Sequence, residues 1–122
     1  MNWLSRLLPG SNPALDPEQR AALDAIIALA PPDLARSHYE TRYVVINAET
    51  GPMDGGGQRL LAVGAVAINQ GLLHPADAYR TQLGGTPVDA LIGLVRFIAR
   101  SPVVVFNAPF NQGTLERALE QN

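Results

Sequence analysis

Apolar and polar residues follow two different rhythms along this chain, and the change falls at about Arg42. Before it, apolar positions recur at the three- and four-residue spacing of a helix. Asp16-Pro17-Glu18-Gln19 has the grammar of a helix start: Asp as N-cap, Pro at the first helical position, an acid in the first turn and Gln three residues after the cap. Leu23, Ile26, Ile27 and Ala30 repeat on one side, and Pro31-Pro32 cannot continue a helix, so the pattern predicts a helix from Pro17 to about Ala30. Upstream, Trp3-Leu4 and Leu7-Leu8 flank Ser5-Arg6 in a short amphipathic stub stopped by Pro9-Gly10. Such a preface needs a surface to cover. It packs on the main body or a partner, or else Trp3–Leu8 rests on a membrane surface with Arg6 as its one cationic anchor.

From Arg42 onward the runs become short, β-branched and aromatic. Tyr43–Ile46 reads as a buried strand, Gly51–Gly57 as a glycine-rich loop and Leu60–Ile68 as a second strand. Asn69-Gln70-Gly71 is a tight turn, and Leu72–Leu83 a third strand interrupted around His74-Pro75. Thr86-Pro87-Val88-Asp89 repeats the helix-start grammar, and Val88, Leu91, Ile92, Val95 and Ile98 share one side of the helix it opens, which ends before Ser101-Pro102. Val103–Phe106 is wholly apolar, which predicts a central strand covered on both faces. A last helix is expected from about Asn111 to Glu120. The order β-β-β-α-β-α predicts an α/β fold: three antiparallel strands, a crossover helix, a parallel strand and a helix, behind a helical extension over 1–41.

Composition narrows the function classes. At 122 residues and 47% hydrophobic content the chain can bury a core of its own. It has no cysteine, so disulfides, Cys-ligated zinc and thiol chemistry are excluded. Charges or prolines cut every apolar run before membrane-spanning length, and no secretory-type start is present; a cytoplasmic protein is expected. All nine basic residues are arginines, against eleven acids, for a net charge of −2. Residues 1–41 hold three Arg and five acids, and 42–122 hold six of each. No dense basic face exists to grip nucleic acid by bulk electrostatics, so any such contact is local and helped by a bound cation.

Candidate chemistry sits at the ends of two apolar strands. Asn47-Ala48-Glu49-Thr50-Gly51 follows the first strand, and Asn47 and Glu49 share a side because strand side chains alternate. Asn107-Ala108-Pro109-Phe110-Asn111 follows the fourth, with Asn111 placed to cap the last helix. If the two strands are neighbours, Asn47, Glu49 and Asn111 converge at one rim of the sheet, where open α/β sheets keep their sites.

These segments resemble the first two motifs of the DEDD 3′–5′ exonucleases, the proofreading-subunit superfamily with a ribonuclease-H-like fold. Arg42–Gly51 followed by Arg59–Ile68, with its Gly64-Ala65-Val66, is similar to a strand ending in Asp-x-Glu-Thr, a loop and a strand containing Gly-Ala-Val. Val103–Leu115 is similar to the second motif, in which His or Asn, Ala, any residue and Phe precede an Asp. The resemblance implies hydrolysis of nucleic-acid phosphodiesters by two divalent cations, Mg or Mn, held by carboxylates. It places Asn47 at the first Asp position, Glu49 at the retained Glu and Asn111 at the second-motif Asp. Thr50, Gly51, Asn107 and Phe110 fall where a terminal nucleotide is contacted. The third motif, with its His or Tyr and closing Asp, has no counterpart, and neither His38 nor His74 stands in its place.

The departures carry consequences. Each Asn offers a neutral oxygen where the family has a carboxylate, so Glu49 alone is left as a weak metal ligand. Asn47 and Asn111 also read as plain loop and cap residues, and Glu49 as a solvated rim carboxylate. Thr50 and Gly51 suffice as turn residues, and Phe106, Phe110 and Leu115 as core or crevice-lining ones. Arg59 and Arg80 are candidate phosphate contacts or ordinary surface arginines. Gly55-Gly56-Gly57 is no phosphate loop, lacking the lysine and the helix start. The expectation is a truncated, impaired exonuclease-like domain whose partner is a single-stranded nucleic-acid end. A non-catalytic interaction module is the alternative, with a second copy or a partner chain covering an exposed region near Val103–Phe106.

Overall fold

The computed structural model describes residues 15–52, 54–55, 58–83 and 87–106. They form an α/β structure with elements in the order α1 (Pro17–Ile27), β1 (Tyr43–Pro52), β2 (Gln58–Asn69), β3 (Leu72–Gln82), α2 (Pro87–Ile98) and β4 (Val103–Val105). The sheet order is β3-β2-β1-β4: β1 runs antiparallel to β2 and parallel to β4, and β2 runs antiparallel to β3. β1 therefore lies between β2 and β4, the arrangement on which convergence of the two strand-end motifs depends. The Trp3–Leu8 stub and the helix expected over 111–120 lie outside the described residues.

Helix α1 starts as its sequence dictates. Asp16 Oδ1 accepts from the Gln19 backbone N–H at 2.8 Å, and Gln19 Oε1 accepts from the Asp16 N–H at 3.1 Å, a reciprocal capping box. The helix ends at Ile27, one turn short of the expected Ala30. Ala30 precedes Pro31, which disfavours the helical region there, and Leu29 N–H tightens onto Ile26 O at 3.1 Å as the chain leaves. Leu23 and Ile26 pack with Ile92 and Val95 of α2. Gln19 Nε2 also donates to Asp89 Oδ1 at 2.7 Å, tying the first turns of the two helices together.

Helix α2 is buried on two sides, against α1 and against the sheet. The second contact adds Leu94 to the apolar side read from the sequence: Leu94 and Ile98 pack with Val44, Ile46, Val63 and Ala65. Tyr79 of β3 donates its hydroxyl proton to Ala90 O at 2.7 Å beneath the helix. That close approach requires Gly93, since a Cβ there would lie 2.9 Å from Tyr79 Cζ. The helix closes through Ala99, a non-glycine residue at φ 50°, whose N–H donates to Val95 O at 2.8 Å.

The strands differ from expectation in three places. β1 does not stop near Ile46, nor does the loop begin at Gly51: pairing with β2 continues to Pro52 opposite Gln58. The register shifts between Glu49 and Thr50, leaving Leu61 of β2 as the extra residue. Leu61 lies against Gly51, where a Cβ would come within 2.7 Å of its Cδ1, so a side chain at that buried position would displace the Leu61 side chain. β3 runs as one strand, yet its pairing breaks where the sequence indicated. Ala78 faces Val66 and Leu73 faces Ile68, so residues 74–77, with Pro75 among them, bulge opposite Ala67. Between β2 and β3, Gln70 (φ 51°) and Gly71 (φ 73°) supply the two left-handed positions of a two-residue hairpin turn.

β4 is the third difference. Among the described residues it is an edge strand, not a central one, with Val103 and Val104 exposed. Its apolar character is used on one side, where Val105 packs against the core under α2. At the start of β1, Arg42 Nη1 donates to Phe97 O (3.0 Å) and Ser101 Oγ (2.9 Å), while Nη2 reaches Asp77 Oδ1 at 3.3 Å. Asp77 also accepts from Asn69 Nδ2 at 3.0 Å, so one arginine joins β1, the β3 bulge and the end of α2.

Candidate functional site

Side-chain alternation along β1 creates two unlike faces. Val44 and Ile46 are buried under α2, and Ala48 packs against the same core. Asn47 and Glu49 are exposed on the opposite face, on the same side of the strand as expected. Two residues of strand separate them by about 7 Å along the chain. β4 ends close by: Val105 pairs with Ile46, so the chain leaves the sheet at Phe106 alongside Asn47. Phe106 itself is 91% exposed.

The antiparallel register continues this site across the sheet. Asn47 faces Gly64 of β2, and Gly64 faces Arg80 of β3; one row along, Glu49 faces Ala62 and Ala62 faces Gln82. Residues directly opposite one another share a face. Asn47, Glu49, Arg80 and Gln82 are all exposed, around a floor of glycine and alanine. Among the described residues the side chains of Glu49 and Arg80 have no hydrogen-bond or ion-pair partner, which leaves one carboxylate and one guanidinium to face a ligand.

Of the other sequence candidates, Thr50 is half-buried beside the bulge and Gly51 is buried beneath Leu61. Arg59 pairs through its backbone with Gly51. Asn107, Phe110 and Asn111 lie outside the described residues. Both histidines sit toward the Tyr43 end of the sheet, away from Glu49. His38 Nδ1 hydrogen-bonds the Tyr43 hydroxyl, and His74 is exposed in the β3 bulge. Among the described residues no three His, Cys, Asp or Glu side chains are grouped as a metal site. Among the described residues, the side-chain oxygens on this face suited to a hard cation are the Glu49 carboxylate and the amide carbonyls of Asn47 and Gln82.

Sequence reasoning read Gly64 only as part of the Gly64-Ala65-Val66 strand motif and did not pick out Gln82. Their positions follow only from the register, and two irregularities, between Glu49 and Thr50 and between Val66 and Ile68, have to be known before the rows line up. A residue slip on either side of these would send Arg80 to the helix-covered face.

A separate cleft of about 330 Å³ opens at the Tyr43 end, between the segment after α1 and the turn after α2. Arg42 and Arg100 in its wall are structural: Arg42 holds Asp77, and Arg100 Nη2 donates to Ile27 O at 2.8 Å at the end of α1. No described helix is long and apolar enough to cross a membrane. Comparison with protein-family models, with curated proteins and with solved structures gave no match.

Proposed function

We propose that this chain is an exonuclease-like domain of ribonuclease-H-like type that binds a single-stranded nucleic-acid end and does not hydrolyse it. The observation that carries this reading is the sheet order. β1 stands between antiparallel β2 and parallel β4, so the Asn47–Glu49 segment and the exit of β4 come together at one end of the sheet. The first motif-like segment runs along β1, the second begins on β4, and Gly64-Ala65-Val66 pairs with Val45–Asn47.

The lack of hydrolysis follows from charge. Metal-dependent phosphodiester cleavage uses two divalent cations to generate the attacking hydroxide and to stabilise the leaving oxygen. Mg or Mn at that density of positive charge needs several anionic oxygens. Here Glu49 supplies the one carboxylate, while Asn47 and Asn111 supply neutral amides at positions that carry Asp in the resembling family. A cation held by Glu49 and the Asn47 carbonyl binds weakly and singly. The test is incubation of the purified chain with labelled single-stranded DNA in Mg or Mn, with Glu49→Gln as the comparison.

A second reading draws on the exposure of Val103, Val104 and Phe106 at β4. An apolar edge strand offers unpaired backbone groups beside apolar side chains, which suits a protein partner or a second copy. Light scattering distinguishes self-association from a monomer.

A further inference from the structure

We infer that Gly64 and Arg80 extend the site across the sheet and contact the phosphodiester backbone of single-stranded nucleic acid. This rests on the reading of the chain as a non-cutting exonuclease-like domain.

Gly64 is in the interior of a strand with neighbours on both sides, where glycine weakens the strand and often marks a close approach by a ligand or another backbone. Its own structure gives no reason for the missing side chain. Its φ is not positive, and a Cβ built on it would meet nothing within 4 Å. Gly51 and Gly93 differ, since a Cβ on either would collide with Leu61 or Tyr79. The bare position at Gly64 leaves a shelf between Asn47 and Arg80, two strand spacings or about 10 Å across.

The charges on this shelf favour a phosphate on its β3 side. Arg80 is exposed and its side chain has no hydrogen-bond or ion-pair partner among the described residues, so its planar guanidinium can take two phosphate oxygens at once. The acid on this face is Glu49, two strands away on β1, which repels a phosphate toward Arg80. Asn47 carries both a donor and an acceptor on the near side. A strand laid across the sheet would pass over Gly64 with a phosphate on Arg80 and a nucleotide beside Asn47.

The experiment is fluorescence anisotropy of a labelled oligo-dT strand with the full chain in EDTA, over a range of salt concentrations. Wild type is expected to bind saturably. Arg80→Gln should weaken binding about three- to tenfold and reduce the magnitude of the log K against log salt slope by about 0.7, the loss of one phosphate contact on a single strand. Gly64→Leu should weaken binding comparably while circular dichroism and thermal unfolding show an intact fold, because a Cβ there meets nothing within 4 Å. Arg36→Gln, at the other end of the molecule, should leave binding unchanged. Absent binding by wild type, or unaltered affinity and salt slope in Arg80→Gln and Gly64→Leu, overturns the inference. Cleavage of DNA in Mg that Glu49→Gln abolishes would overturn the non-cutting reading instead, and leave this contact standing.

Discussion

Arg42 and Asp77 meet at 3.3 Å from residues 35 apart in sequence, and through them the first strand is fixed to the bulge of the third. The ion pair is partly exposed, so its own contribution is small, about 0.5 kcal/mol. Arg42 does more than pair. It also donates to Phe97 O and Ser101 Oγ and lies 4.8 Å from the centre of the Phe97 ring. Arg42→Ala should therefore destabilise the fold by about 2 kcal/mol, and Arg42→Lys by less, because one ammonium cannot reproduce the forked contacts. Urea unfolding midpoints at constant slope provide the check.

Ala99 is the place where stability can be gained. It closes α2 in the left-handed region at φ 50°, which costs a non-glycine residue about 1–2 kcal/mol. Ala99→Gly should raise stability by about 1 kcal/mol, the larger freedom of glycine in the unfolded chain offsetting part of the relief. An unchanged or lowered thermal midpoint would show that the Ala99 methyl group contributes packing that outweighs the strain.

Two glycines should respond in opposite ways to the same change. Gly93→Ala places a methyl group against Tyr79, whose hydroxyl is held by Ala90 O, and should cost about 1–3 kcal/mol. Gly64→Ala enters open space in a strand and should be neutral or stabilising by up to about 1 kcal/mol. Denaturant titration of the two variants side by side tests both assignments.

Asp16→Ala removes the acceptor of the capping box and should cost about 1 kcal/mol, read as a lower unfolding midpoint with reduced helical circular dichroism. Leu23→Ala, in the contact between α1 and α2, should cost about 2–5 kcal/mol if that contact belongs to the cooperative core.

The sequence revealed those features of the fold that local chemistry controls. Asp16 and Gln19 announce the start of α1 through a bond they make with each other, and Pro75 marks where β3 loses its pairing because it has no N–H to give. Features set by distant partners were less visible. β1 continues through Gly51 and Pro52 because β2 pairs with it that far, although glycine and proline locally favour a loop. Val103–Val105 looks central because apolarity is the same whether a strand is covered on two faces or on one. The site was half legible: alternation alone puts Asn47 and Glu49 on one face, whereas bringing Gly64 and Arg80 beside them requires the register of three strands and both of its irregularities.

Restoring charge tests the metal argument. The double variant Asn47→Asp, Asn111→Asp adds two carboxylates and should bind Mn more tightly than wild type by calorimetry, yet should gain no turnover, because His38 and His74 both lie away from Glu49 and neither can serve there as a base. Equal Mn affinity in the two proteins would remove Asn47 and Asn111 from the site.

The most direct measurement is cleavage itself. End-labelled single-stranded DNA is incubated with excess purified chain in Mg and, separately, in Mn, beside Glu49→Gln. With Glu49 the one carboxylate among Asn47, Glu49 and Asn111, both proteins should leave the DNA intact to the same degree as buffer. Stepwise shortening from the 3′ end by wild type, abolished in Glu49→Gln, would contradict the account.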